Sequence, residues 1–230
     1  MNIFKNLFAS SLGKKYLMAI TGAAMFLFVI AHLIGNLQIF LGPEAINRYG
    51  HFLQSNMEIV WSARIGLLLM ILVHIWAAVK LTAENRAARP IPYHHYEVVA
   101  ASYASRTMMM SGLIIFFFII YHLLHFTVQM KEINFRGVDF ATLHDPQNRH
   151  DVYGMMVLGF SNVWVSLFYM IAMGLLSLHL SHGVRSMFQS LGWKKRGYAP
   201  GIHGFATGMA IFIFLGYISI PLAVLLGFVK

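Results

Sequence analysis

The chain has 230 residues, of which 58% are hydrophobic and 11% are charged, and its mean hydropathy is +0.66. Water-soluble domains usually carry about 25% charged residues, so this composition predicts an integral membrane protein. The sequence has no cysteine, which excludes disulfides, thiolate-bound iron–sulfur clusters and covalently attached c-type haem in this chain and leaves histidine as the expected ligand of any metal.

Five apolar segments are long enough to cross the hydrocarbon core, which needs about 20 helical residues. Their predicted bounds are Tyr16–Leu41, Ala63–Leu81, Thr107–Gln129, Val157–Val184 and His203–Phe228. The first segment is far longer than a signal-peptide core, so we expect it to be retained. Short connections with Gly-Pro, Asp-Pro and Pro-Gly turns separate the segments. The sequence therefore predicts an all-α, polytopic membrane protein with a single domain over residues 1–230.

The formal net charge of +9 follows the predicted membrane topology. With the N-terminus in the cytoplasm, eleven of the 17 lysines and arginines lie inside and six lie outside. This distribution satisfies the positive-inside rule. The basic excess therefore predicts membrane orientation, and we expect no nucleic-acid partner.

Two of the spans share a sequence motif that ends in histidine. Thr21-Gly22 is followed by His32 ten residues after the glycine, and Ser111-Gly112 is followed by His122 at the same spacing. A histidine within an apolar span is costly unless its ring nitrogens have partners. A repeated one therefore indicates a functional site.

Four histidines fall at two matched depths. His32 and His122 lie seventeen and sixteen residues beyond the inner cations of their spans, which places both about 25 Å from the inner boundary. His74 and His179 each lie six residues before the inner cation of a span that runs the opposite way, which gives about 9 Å. The pattern predicts one pair of histidines toward each face of the membrane.

Two such pairs have the arrangement that two haems b require, since each haem iron takes axial imidazoles from opposite sides. A zinc site would need three or four ligands at one point, and a proton relay would need carboxylates in the spans. A structural hydrogen bond between helices is the alternative for any single histidine. His125 and His182 each lie three residues after a candidate ligand, and each could replace it or bind a haem propionate. The repeated spacings favour His122 and His179.

Most of the chain resembles one family of membrane proteins. The segments that carry the resemblance are TGAAMFLFVIAHLIGN, GPEAINRYGHF, SGLIIFFFIIYHLLHF and HLSHGVRSMFQSLGW, in this order. They are similar to the five-helix, dihaem cytochrome b subunit of succinate:quinone oxidoreductases, which include succinate dehydrogenases and fumarate reductases. The resemblance implies that the first four helices form a dihaem bundle, with His32 and His122 as ligands of the distal haem and His74 and His179 as ligands of the proximal haem.

The resemblance also implies partners that the chain itself does not contain. These are an iron–sulfur subunit and a flavoprotein with FAD, which carries out the succinate or fumarate chemistry, both on the cytoplasmic side of a bacterial inner membrane. This chain would be the anchor and would exchange electrons with menaquinone. The membrane subunit of a hydrogenase or formate dehydrogenase is an alternative of similar chemistry. A transporter that uses histidines for protons is an alternative of another class.

We expect the quinone to bind on the outer side, near the distal haem. Four polar residues lie at the start of the second span: His51, Gln54, Glu58 and Arg64. A quinone headgroup needs hydrogen-bond donors and a proton route to water, which such a group could supply. Some fumarate reductases place an essential glutamate near the first outer loop, and neither Glu44 nor Glu58 clearly matches that residue.

Overall fold

The structure is a computed structural model that describes residues 3–88, 102–195 and 197–230. Five helical segments are long and apolar enough to cross a membrane: α2 (Ser11–Leu37), α4 (Met57–Ala87), α6 (Met108–His122) together with the π-helical turn that follows it to Thr127, α8 (Val163–Ser190) and α9 (Ala199–Leu225). Four shorter helices connect or flank them: α1 (Ile3–Ala9), α3 (Pro43–Ser55), α5 (Tyr103–Arg106) and α7 (Val152–Phe160). The all-α fold with five spans is confirmed. Arg89 and Arg196, which were counted among the inner cations, lie outside the described residues.

The fourth span begins at Val163 rather than at the predicted Val157. Helix α7 ends at Phe160, and the Asn162 side chain then accepts hydrogen bonds from the backbone N–H groups of Trp164 and Val165. Asparagine is favoured at this position because its side chain satisfies donors that have no partner within the helix. The cap therefore divides an apolar run that hydropathy alone cannot divide, and α8 continues past Val184 to Ser190.

Helices α2 and α8 each pack against three other spans, and α2 connects α4 to the rest of the bundle. Helix α2 packs against α4, α8 and α9, while α8 also packs against α6 and α9. Gly216 permits a close approach of α9, because a Cβ atom there would lie 2.8 Å from Cδ2 of the fully buried Leu33. The Tyr217 hydroxyl in α9 donates to the Val29 carbonyl in α2 over 2.8 Å. Helix α9, the fifth span, is thus packed into the bundle and directly contacts α2.

An ion pair joins α2 to α4 at the end of the bundle that the sequence predicts to face the cytoplasm, which is called the inner end below, and the opposite end the outer end. Lys14 Nζ lies 2.5 Å from Glu84 Oε1, and it also donates to the Ala9 carbonyl over 2.8 Å. The Lys14 side chain is only 5% exposed, whereas that of Glu84 is 41% exposed. A buried ammonium group requires such partners. The pair therefore sets the axial position of α2 relative to α4.

A polar network closes the outer end between α3 and α7. Asn47 is fully buried, and its amide donates to Asp151 Oδ1 over 3.0 Å while its carbonyl oxygen accepts from the Tyr153 N–H over 2.9 Å. Arg149 pairs with Glu44 over 2.6 Å and with Asp145 over 2.7 Å. The network attaches the loop before α7 to the helix that follows the first span.

Charge pairing shifts the ionisation of this outer network. Hydrogen bonds from Arg149 lower the pKa of Glu44. In turn, the carboxylates of Glu44 and Asp145 raise the pKa of Arg149. Burial alone would raise the pKa of Asp145, but hydrogen bonds from the Arg149 backbone and side chain outweigh burial and lower it. Both carboxylates therefore remain ionised in the folded protein at neutral pH.

Replacement of Asn47 with leucine should destabilise the protein by about 2–3 kcal/mol. The substitution keeps the side-chain size but leaves the Tyr153 N–H without its acceptor, and an unsatisfied buried polar group costs about 1–3 kcal/mol. Thermal unfolding in detergent would measure the change. Glu132→Leu, at an exposed position of the outer loop, is the control. Equal stability of the two variants would contradict the role given to Asn47.

Acidification should weaken the outer network. Because the folded-state pKa values of Glu44 and Asp145 lie below their unfolded values, their stabilisation is complete above the unfolded pKa and is lost as pH falls through the folded value. We expect the unfolding temperature to fall below about pH 4, where such carboxylates protonate. The Arg149→Met variant should show a flatter profile over this range. Parallel profiles would show that Arg149 does not set this dependence.

Candidate functional site

The histidines of the outer level face each other across the bundle. The ring centroids of His32 in α2 and His122 at the end of α6 lie 5.8 Å apart, with their planes 81° to each other. Phe28 stacks on His32 at 5.4 Å, and Phe118 stacks on His122 at 5.9 Å. The neighbouring aromatic rings, one turn earlier on each helix, thus set the orientation of both imidazoles.

This separation fits a metal held between two axial imidazoles. With a metal–nitrogen distance of about 2 Å on each side, the two ring centroids would lie roughly 6 Å apart. The observed 5.8 Å agrees with this value. The separation of the outer pair therefore matches the size of a haem iron with two imidazole ligands, and the assignment of these histidines as ligands stays a prediction.

The histidines of the inner level each contact a hydroxyl from a neighbouring helix. His74 Nδ1 in α4 lies 3.2 Å from Thr21 Oγ1 in α2. His179 Nδ1 in α8 lies 3.2 Å from Ser111 Oγ in α6. Gly22, which follows Thr21, lies against the His74 ring, and Gly112, which follows Ser111, lies against the His179 ring. Both inner histidines are thus held at Nδ1 in the same way.

The two inner contacts lie at matching heights. Thr21 precedes His32 by eleven residues, and Ser111 precedes His122 by eleven residues. This spacing corresponds to roughly 16 Å along a helix. Since His32 and His122 face each other, the hydroxyl contacts of His74 and His179 lie together at one level below them.

His125 has a different environment from His122. It is fully buried, its Nδ1 lies 3.0 Å from the Tyr169 hydroxyl, and its Nε2 has no hydrogen-bond partner among the described residues. The same hydroxyl lies 3.4 Å from His122 Nδ1. A π-helical turn over Leu123–Thr127 begins directly after His122 and contains His125, so the angle between the two side chains is not that of a regular α-helix. His122 therefore faces His32, while His125 packs beside Tyr169 and Phe126.

His182 lies near the inner end of α8 and is engaged within its own helix. Its Nε2 lies 2.9 Å from the hydroxyl of Ser186, one turn further along. The residue is half-buried, and it lines a polar cavity of about 200 Å³ together with Arg185 and Lys194. His182 is therefore directed toward the polar inner end of the bundle, and His179 toward the hydroxyl of Ser111.

Comparison with protein families gives one match. The family described as succinate dehydrogenase/fumarate reductase transmembrane subunit matches residues 85–218, which is more than half of the chain. The chain belongs to this family. Searches of curated proteins and of solved structures found no match. The matched segment of this transmembrane subunit includes His122 and His179, whereas His32 and His74 precede it.

The four residues predicted to bind quinone are all exposed in this transmembrane subunit. His51 Nε2 lies 3.4 Å from the Ser55 hydroxyl in α3, and the Arg64 guanidinium lies over the Trp61 ring at 5.2 Å. Gln54 and Glu58 flank the junction of α3 and α4. The quinone assignment therefore stays a prediction.

The structure adds contacts that the sequence did not reveal. Thr21 and Ser111 belong to the repeated motif, but their spacing does not show that they contact histidines of other helices. The partnership of Tyr169 with His122 and His125 has no signal in the sequence. It depends on the π-helical turn, which brings His125 toward α8.

Replacement of Tyr169 with phenylalanine should destabilise the protein by about 1–3 kcal/mol. The substitution removes the hydroxyl partner of the fully buried His125 Nδ1, and one newly unsatisfied buried group has a cost of this order. Thermal unfolding in detergent would test this. Tyr103→Phe is a matched control because Tyr103 is 62% exposed. An unfolding temperature of Tyr169→Phe equal to that of the control would contradict the prediction.

Proposed function

We propose that this chain is the membrane-anchor cytochrome b of a succinate:quinone oxidoreductase, which holds two haems b and passes electrons between a cytoplasmic iron–sulfur subunit and menaquinone. Membership of the transmembrane-subunit family supports the complex to which it belongs. The observation that carries the haem proposal is the pair His32 and His122, whose rings face each other at the separation that a bis-histidine iron requires.

His32 and His122 would hold the distal haem, and His74 and His179 the proximal haem. Bound haem iron would supply a one-electron carrier at each level. The chain's own residues hold the imidazoles in place. Phe28 and Phe118 stack on the outer rings, and the hydroxyls of Thr21 and Ser111 hold Nδ1 of the inner rings, which leaves Nε2 for a ligand.

The proposed partners are an iron–sulfur subunit and an FAD-containing flavoprotein, on the cytoplasmic face of a bacterial inner membrane. In the proposed orientation, with the N-terminus inside, the inner ends of α8 and α9 and the loop between them present Arg185, Lys194 and Lys195 to that side. The family match favours this complex over a hydrogenase or formate dehydrogenase. Covalent flavin in a co-purifying subunit would support it further. A reduced-minus-oxidised spectrum without b haem would favour a transporter instead.

Alanine variants should separate the ligands from the nearby histidines. His122→Ala should lose the distal haem and His179→Ala the proximal haem, because each removes one axial partner. His125→Ala and His182→Ala should retain both haems with altered potentials, since their rings contact Tyr169 and Ser186 rather than the opposite histidine. Haem content and low-temperature spectra of the four purified variants would decide. Loss of a haem in His182→Ala with retention in His179→Ala would reverse the assignment for α8.

Quinone binding on the outer side can be tested with Glu58→Gln. Loss of this exposed carboxylate should slow menaquinone turnover several-fold while haem reduction by succinate remains. Glu132→Gln, an exposed outer carboxylate in another loop, is the control.

If quinone binds on the outer side, each electron crosses most of the membrane, and the membrane potential then contributes about 2.3 kcal/mol per electron for every 100 mV. Succinate oxidation in intact cells should therefore fall when an uncoupler is added, and an unchanged rate would argue against the outer site.

A further inference from the structure

The hydroxyl of Thr21 lies between a backbone carbonyl of its own helix and the ring of His74. Its Oγ1 lies 2.7 Å from the Leu17 carbonyl one turn earlier and 3.2 Å from His74 Nδ1. A hydroxyl has one proton, and a carbonyl oxygen cannot donate. The shorter contact favours donation of this proton to the Leu17 carbonyl, in which case Thr21 Oγ1 accepts from the imidazole N–H.

Ser111 repeats this arrangement on α6. Its Oγ donates to the Met108 carbonyl over 3.1 Å and lies 3.2 Å from His179 Nδ1. The serine is buried, so water does not compete for the hydroxyl. Both arrangements thus favour a proton on Nδ1 of the inner imidazole, which leaves the lone pair on Nε2. This tautomer is the one that binds a metal through Nε2.

Glycine next to each hydroxyl lets the ring approach the neighbouring helix. A Cβ atom on Gly22 would lie 3.3 Å from His74 Cε1, and one on Gly112 would lie 3.5 Å from His179 Cε1. The first distance is tighter than an ordinary contact. Gly22 therefore permits the close approach of the His74 ring, while Gly112 lies in ordinary contact with the His179 ring.

We infer that Thr21 and Ser111 are positioning residues for His74 and His179. The inference rests on the proposed function, in which these histidines hold the proximal haem. It also gives a reason for the repeated motif: α2 and α6 each provide a hydroxyl for the inner level and, eleven residues later, a histidine for the outer level. Each motif therefore serves both haem levels at once.

The test compares Thr21→Val and Ser111→Ala with the hydroxyl-retaining variants Thr21→Ser and Ser111→Thr. A hydrogen bond donated by Nδ1–H makes the imidazole a more basic ligand, which favours oxidised iron. Its loss should raise the midpoint potential of the proximal haem and change the electron paramagnetic resonance of that haem alone. The hydroxyl-retaining variants should keep the wild-type values.

Thr107→Val, at the residue that precedes α6, is the matched control, because the Thr107 hydroxyl also donates to a carbonyl one turn earlier, that of Tyr103, over 2.9 Å. It should change neither haem. Unchanged proximal properties in both Thr21→Val and Ser111→Ala would overturn the inference, as would equal shifts of both haems.

A separate measurement distinguishes failure of this inference from failure of the proposed function. Wild-type protein without b haem would contradict the proposed function. The ¹⁵N shifts of the histidine ring nitrogens report the tautomer with or without haem, and the expected wild-type result is a proton on Nδ1 of His74 and of His179. A proton on Nε2 of either ring in the haem-free protein would overturn the positioning role.

Discussion

Burial of imidazole in an apolar bundle is the constraint on which the rest of this structure depends. A ring nitrogen without a partner is costly in such surroundings, and each of the four candidate ligands has a contact that orients its ring. Thr21 and Ser111 hold the inner rings, while stacked phenylalanines and the Tyr169 hydroxyl hold the outer ones. In His74, His179 and His122 the contact is to Nδ1, which leaves Nε2 for a ligand. The helix pairings can be understood as the packing that makes these contacts possible.

The supporting contacts lie at both ends of the bundle and behind it. The Lys14–Glu84 pair sets α2 against α4, so that Thr21 is level with His74. Helix α9 presses on α2 through Gly216 and Tyr217. At the outer end, Asn47 attaches α3 to the start of α7. Each support fixes one helix carrying a candidate ligand, or its neighbour, along its axis, which is the coordinate that decides whether two histidines are level.

The sequence predicts the fold and the histidine pairs for a simple physical reason. Hydropathy and the 1.5 Å rise of a helix determine how many spans there are and how deep each residue lies. The facing of His32 and His122 agrees with that arithmetic. Rotation about the helix axis is a different matter, since it depends on the neighbours, and so the choice of His122 over His125 rested on a repeated spacing. The start of α8 was missed because Asn162 begins a new helix within a stretch that is apolar on both sides, and average hydropathy does not show such a helix boundary.

The π-helical turn at Leu123–Thr127 has a consequence for how the chain tolerates length changes. Such a turn holds one residue more than the α-helical turn it replaces, so the extra residue is absorbed within the turn and the segments on either side keep nearly the same directions. His122 lies just before the turn and takes its direction from α6. Deletion of one residue within the turn would convert it to regular α-helix and leave the direction of the segment that follows nearly unchanged, while His122 kept its own direction. A difference of one residue in chain length at this turn would therefore leave the outer histidine pair in place.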